Sequence, residues 1–254
     1  MRSNRRPDFA STEAAGAPSL LEPAGVENPH VLKAIIFDFD GVLADTEPIH
    51  FMMFQRVLKQ EGLPLSQHDY YEKYVGLDDK GCFQAILSEH GRPALPETIR
   101  RLVERKGALL LEHLKANLII YPGVVEFVTA AAARKRLAIA SGALRHEIEY
   151  VLEAAGIRKK FEHITAAEDV RNGKPDPEGY QHALRHLDHT ASVRAAECLV
   201  IEDTIAGVQA AQSAGMRCLA VTNTYHADRL TTADAVTSTL KGYDLESLER
   251  KLWT

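Results

Sequence analysis

Asp38 and Asp40 stand two residues apart behind the apolar run Ala34-Ile35-Ile36-Phe37, and Gly41 follows them. On an extended strand, side chains at i and i+2 point to the same side, so both carboxylates can face one small volume past the strand end. Carboxylates there are costly unless neutralised, either by a divalent cation or by use as a catalytic pair. Three more polar groups close apolar runs or loops further on: Ser141-Gly142 after Leu137–Ala140, Lys174 within Asn172–Asp176, and Glu202-Asp203 after Cys198–Ile201. Carboxylates such as Asp38, Asp40, Asp203 and neighbouring Glu202 are hard oxygen ligands that suit Mg²⁺. Ser141 brings a hydroxyl and the N–H groups at the start of the next helix, which suit phosphate. Lys174, in a loop set by Gly173 and Pro175, can neutralise phosphate oxygens. In such a site Asp38 is the natural nucleophile for an aspartyl-phosphate, and Asp40 can protonate the leaving alcohol and then deprotonate water. Alone, each residue reads as a turn former, a helix cap or a loop lysine. Their conjunction outweighs those separate readings.

The elements that position these groups alternate between strand and helix. Strands are expected at 34–37, 137–140, 163–166, 198–201, 216–221 and 235–236, with helices between them. That alternation predicts an α/β fold, a parallel sheet with helices on both faces, and it puts the polar strand ends on one edge. Between Asp45 and Leu118 no strand is expected. Asp45-Thr46-Glu47-Pro48 reads as a capped helix start. Helical patterns cover 49–62, 67–90 and 96–117, interrupted by Gly76–Gly81. This is a helical insertion, 46–117, within a core of 31–45 and 118–254.

The 254-residue chain is 45% hydrophobic and 26% charged, which suits a globular protein with a sizeable core. Its formal net charge of −5 gives no case for nucleic acid or an anionic membrane as partner. No stretch approaches the ~18 consecutive apolar residues of a membrane span. Three widely spaced cysteines form neither a disulfide framework nor a zinc pattern, so buried free thiols and a cytoplasmic location are expected. Residues 1–30 read as a flexible tail, with an organelle transit sequence as the minor alternative. A monomer or weak dimer is expected.

The motifs Asp38-Phe39-Asp40-Gly41-Val42, Ser141-Gly142, Lys174-Pro175 and Glu202-Asp203-Thr204, in this order, resemble those of the haloacid dehalogenase (HAD) superfamily of phosphohydrolases. The nearer likeness is to the subgroup of phosphoglycolate phosphatase, β-phosphoglucomutase and CbbY-like phosphatases. The resemblance spans roughly residues 31–241. It implies a Rossmann-like core with a helical cap inserted after the first motif. It also implies Asp38 as nucleophile and Asp40 as general acid/base. Mg²⁺ would be held by the Asp38 carboxylate, the Asp40 carbonyl and Asp203, with Glu202 in support, and Ser141, Gly142 and Lys174 would bind the phosphoryl group.

At the cap entry, Thr46 and His50 match residues that position the general acid/base in the mutases of this group, although His50 reads equally as a packing histidine. The cap loop departs from the mutases. Asp78 and Asp79 stand where β-phosphoglucomutase carries a phosphate-gripping arginine, and Lys80 lacks the bidentate fork of arginine. Two carboxylates would repel a bisphosphate. They suit sugar or polyol hydroxyls, or the helix start that follows. The expectation is a Mg²⁺-dependent phosphomonoesterase acting on a small phosphorylated metabolite, a sugar phosphate or phosphoglycolate. A β-phosphoglucomutase-like isomerase is the alternative enzyme, and an idle HAD fold used for binding is the alternative class.

Overall fold

A computed structural model describes residues 31–253. The tail assigned to 1–30 lies outside them. Six parallel strands form one sheet: β1 (Ala34–Phe37), β2 (Arg136–Ala140), β3 (His163–Thr165), β4 (Cys198–Glu202), β5 (Arg217–Val221) and β6 (Ala235–Thr237). Their order is β3-β2-β1-β4-β5-β6. The expected Rossmann-like α/β core is therefore present. The connections run outward to β3 on one side of β1 and then outward to β6 on the other. Successive crossovers diverge at β1, and a crevice at the carboxyl edge follows.

Strand β1 is wholly buried because both faces of the sheet are covered. Ile35, Phe37, Ile139 and Ile201 join the apolar layer under α5 (Val124–Ala132), α6 (Arg145–Ala154) and α9 (Leu245–Leu252). Ala34, Ile36, Ala140 and Val200 join the layer under α7 (Glu178–Ala191) and α8 (Ile205–Ser213). By the same two-residue period, Asp38 and Glu202 belong on the α7–α8 side. The pairing of Phe37 with Ile201 brings those strand ends side by side, and the Asp38 N–H donates to the Ile201 carbonyl at 2.9 Å.

The insertion after β1 is helical throughout, comprising α1 (Glu47–Gln60), α2 (Gln67–Asp69) running into a π-helical turn (Tyr70–Tyr74), α3 (Asp79–Glu89) and α4 (Pro96–Asn117). It has its own apolar cluster, with Phe54, Leu58, Phe83, Ile86 and Leu102 at its centre. Two local details differ from expectation. Gly81 lies inside α3, and the chain breaks instead at Val75–Asp78. The terminal helix α9 has no counterpart among the expected elements; it is short, and Leu248 and Trp253 anchor it to the core. All three cysteines are buried free thiols. Among the described residues no helix is long and apolar enough to cross a membrane.

Candidate active site

Asp38, at the end of β1, lies 2.8 Å from the Lys174 ammonium, which also donates to Glu202 Oε1 at 2.6 Å. Both Glu202 oxygens are fully used. Oε1 also accepts from the Tyr180 hydroxyl at 2.8 Å, and Oε2 accepts from the Asp203 and Thr204 N–H groups at 2.8 and 2.9 Å and the Thr204 hydroxyl at 3.0 Å. Gly207 makes this possible, because a β-carbon there would overlap the Glu202 carboxylate. Thr204 caps α8 by accepting from the Gly207 N–H at 3.0 Å. Burial alone would raise the Glu202 pKa, yet Lys174, Thr204 and Tyr180 hold it below the usual range. Glu202 thus aims Lys174 and the Asp203 backbone, and has no oxygen left over for a metal.

Asp203 is the opposite case. Its Oδ2 accepts from the Thr224 hydroxyl, while its Oδ1 is buried with no partner. Gly41, at φ +70°, passes so close that a β-carbon would overlap this carboxylate, and its carbonyl accepts from Asn223 Nδ2 at 2.6 Å. Oxygens of Asp38, Glu202 and Asp203 lie within 4.8 Å of one another. Burial, then Glu202 and Asp38, push the Asp203 carboxyl well above its ordinary range. Asp38 is pushed up to about 7, mainly by burial, with Glu202 and Asp40 adding and Lys174 opposing. Three buried carboxylates share one lysine. A hard divalent cation beside Asp38 and Asp203 fits this unpartnered oxygen and surplus negative charge.

Ser141, buried at the end of β2, faces the same cavity with Gly142, Asp38, Asp40 and Lys174. The helix that follows begins only at Arg145, so its first turn does not reach Ser141 directly. The Ser141 N–H donates to Thr165 and the Ala143 N–H to Ser141 Oγ. Among the described residues, this leaves the Gly142 N–H and the Ser141 hydroxyl proton as donors for an anion.

Asp40 belongs to a second set of groups, supplied by the insertion. Thr46 precedes α1 but makes no capping bond. Its hydroxyl donates instead to Asp40 Oδ1 at 2.5 Å, an acceptor stronger than a backbone carbonyl. His50 Nε2 stands 3.2 Å from the same oxygen, and Lys106 Nζ lies 2.6 Å from His50 Nδ1 and 2.5 Å from Asp79 Oδ1. An ammonium only donates, so His50 Nδ1 accepts and its Nε2–H points at Asp40. Burial would raise the Asp40 pKa, but His50, Thr46 and Lys106 together hold it below the usual carboxylate range. Glu147, on α6, lies under α4: its Oε1 is buried without a hydrogen bond, and burial pushes the carboxyl up to about 7 against the pull of Lys106.

The cap-loop residues part company. Asp79 Oδ1 pairs with Lys106, and its Oδ2 is buried with no partner. Asp78 caps α3 by accepting from the Gly81 N–H at 2.7 Å, and it sits against Gly142 and Gly173, where a β-carbon on either would meet it at 3.2–3.3 Å. Lys80 is exposed and does not line the cavity. The cavity between insertion and sheet measures only about 40 Å³. That holds a few waters, less than a sugar phosphate occupies.

Sequence reasoning missed Lys106, Glu147, Tyr180, Asn223 and Thr224. Lys106 had a signal: it occupies the apolar stripe Ile99, Leu102, Leu110, Leu114 of α4 and is 0% exposed. Thr224 had one too, since β5, like β1, β2 and β4, runs out into polar residues.

The sequence profile of the haloacid dehalogenase-like hydrolases matches residues 35–221. The chain belongs to that family. A protein from Thermotoga maritima named phosphorylated carbohydrates phosphatase is 32% identical over 187 residues, covering 73% of this chain and 82% of that protein. Among solved structures, phosphate-bound CbbY from Rhodobacter sphaeroides superimposes with a TM-score of 0.73 at 26% identity, covering 83% of this chain and 95% of that one. A β-phosphoglucomutase from Clostridium difficile reaches a TM-score of 0.78 at 24% identity, covering 87% and 97%, and speaks to the fold. With phosphatases among its relatives, this hydrolase is an enzyme of the phosphoric monoester class.

Proposed function

We propose that this chain is a Mg²⁺-dependent phosphatase of small sugar phosphates that works through an aspartyl-phosphate on Asp38. The observation that carries the reading is the pairing of Asp38 with Lys174 at 2.8 Å, next to the unpartnered buried Oδ1 of Asp203. Asp38 and Asp203 would hold Mg²⁺, and the cation would offset charge on the phosphoryl oxygens. Lys174, the Ser141 hydroxyl and the Gly142 N–H orient the phosphoryl group for attack by Asp38. Asp40, resting as a carboxylate, takes the proton of the water that later attacks phosphorus. To act first as the acid it must bind a proton, which the nearby dianionic phosphate favours. Thr46, His50 and Lys106 fix its direction, and closure of the segment 46–117 over the edge excludes other water.

Sugar phosphates lead because the named relative acts on phosphorylated carbohydrates and because Asp78 stands beside the phosphate loop with acceptor oxygens for hydroxyls. The mutase reading loses ground. Among the described residues no arginine lines the cavity, Lys80 is outside it, and Lys106 is paired with Asp79. A second phosphate finds no grip there. The test is phosphate release from hexose, pentose and polyol phosphates, phosphoglycolate and nucleotides, with Mg²⁺ and with EDTA, following β-glucose 1-phosphate for isomerisation as well. Metal-dependent release, greatest on a sugar phosphate, is expected. Isomerisation exceeding release would replace this reading by the mutase.

A further inference from the structure

At the edge strand β3, three imidazoles come together that the phosphatase chemistry does not use. His163 starts β3, and His182 and His186 lie one turn apart on α7. The His163 and His186 rings stack at 3.7 Å between centroids, and His182 stands 5.5 and 4.9 Å from them. One ring nitrogen from each lies within 4.8 Å of the other two. The Thr165 hydroxyl links the set, 3.1 Å from His163 Nε2 and 3.0 Å from His182 Nδ1.

The geometry points to a three-histidine site for a borderline divalent transition metal, Zn²⁺ foremost, that ties β3 to α7 and is separate from the Mg²⁺ site. Two histidines at i, i+4 project from one helix face, and the third comes from the strand on which that helix packs. The backbone therefore fixes three ligands. Zn–N bonds of about 2.0–2.1 Å in a tetrahedron set the nitrogens about 3.4 Å apart. Closing from within 4.8 Å to that spacing requires the His163–His186 stack to open, since stacked rings cannot both aim in-plane lone pairs at one ion. All three ligands are imidazole nitrogens and no carboxylate is among them, so the donor set selects Zn²⁺, Co²⁺, Ni²⁺ or Cu²⁺ over Mg²⁺. This is the reverse of the oxygen set at Asp38 and Asp203. Burial, with the neighbouring imidazoles, lowers His163 to about 4 and also lowers His182. Asp169 and Glu178 nearby pull in the other direction, while Arg145 and Arg185 reinforce the lowering.

The experiment titrates the full chain with Zn²⁺, and separately with Co²⁺, in excess Mg²⁺, by calorimetry and by the visible spectrum of bound Co²⁺. The comparison is with His186→Asn and with His182→Asn/His186→Asn. His186 is exposed, so the single variant keeps its fold, and its melting temperature and Mg²⁺-dependent turnover serve as controls. One equivalent of Zn²⁺ is expected, at least tenfold weaker in the single variant and a hundredfold weaker in the double, with a tetrahedral Co²⁺ spectrum lost in step. Equal affinity in all three proteins, or no Zn²⁺ bound by the wild type in excess Mg²⁺, would overturn the site.

Discussion

Two buried charged groups meet at one cavity and are built on opposite plans. The core group, Asp38, Glu202 and Asp203 around Lys174, has more negative than positive charge and leaves Asp203 Oδ1 bare. The cap group, Asp40–His50–Lys106–Asp79, alternates acceptor and donor along its length. The electrostatic consequences run in opposite directions: burial drives Asp38 up to about 7, while its neighbour Asp40 is held low by its partners. An arrangement short of positive charge suits a group that must receive a cation and a phosphate. A chain of alternating donors and acceptors suits a group that must hold one orientation. On the proposed mechanism, binding falls to the sheet edge and orientation to the insertion.

The hardest blow to that division comes from Asp38→Asn. An amide is a very poor nucleophile, so turnover is expected to fall by at least about 10⁴-fold with the fold intact. Near-normal rates measured alongside an unchanged melting curve would sink the mechanism. Lys106→Met is expected to act next most strongly, and on two properties at once. Removing one partner of a buried pair costs about 3–5 kcal/mol of stability, and Asp40 loses its orientation, with kcat down at least about tenfold. Adding Asp79→Leu separates the two effects. The double variant should regain part of that stability, because both members of the buried pair are removed together, yet stay slow. If its rate recovers with its stability, the chain is structural and does not orient Asp40.

Asp78 and Asp79 divide the comparison more finely. Asp79→Ala strands Lys106 and should slow every substrate alike. Asp78→Ala leaves the chain intact, and its effect should differ several-fold between sugar phosphates and an aryl phosphate. Parallel profiles for the two variants would mean that Asp78 only caps α3.

Much of this was legible in the sequence, and what was not has a physical pattern. Strand β1 announced itself because both its faces are buried, and the polar ends of β1, β2 and β4 fell on one edge because parallel strands share a direction. Asp38, Asp40, Ser141 and Asp203 were picked out as candidates that way, and Lys174 from the loop set by Gly173 and Pro175. Thr46 was read as a cap from its place before Pro48 and, by the family resemblance, as a residue that positions the general acid/base; its position alone does not show a carboxylate six residues back folding into reach. Lys106 and Glu147 escaped because their meaning lies in contacts between α4, α3, α1 and α6, distant in the chain. Even so, a lysine in the middle of an apolar stripe was a visible anomaly. Asp79 and Asp78 are adjacent in sequence and chemically alike, and only their directions separate a buried ion pair from a carboxylate at the phosphate loop.

The smallest effect concerns Glu147, the ionisable group at the seam between the two plans. Its carboxyl titrates at about 7 in the folded protein, against 4.5 as the ordinary value. A group with a raised folded pKa binds its proton more tightly in the folded state. Its contribution is therefore fully present below pH 4.5 and is lost as pH rises to 7 and beyond. Glu147→Gln keeps the size and removes the titration. Relative to wild type, the variant should gain about 1–3 kcal/mol between pH 5 and pH 8, read from urea midpoints at the two pH values. The Leu144 N–H, which donates to Glu147 Oε2 at 3.0 Å, can still donate to the Gln oxygen. A variant that loses stability evenly at both pH values would show that Glu147 serves Lys106 as an ionised partner, and the cap chain would then extend across the seam into α6.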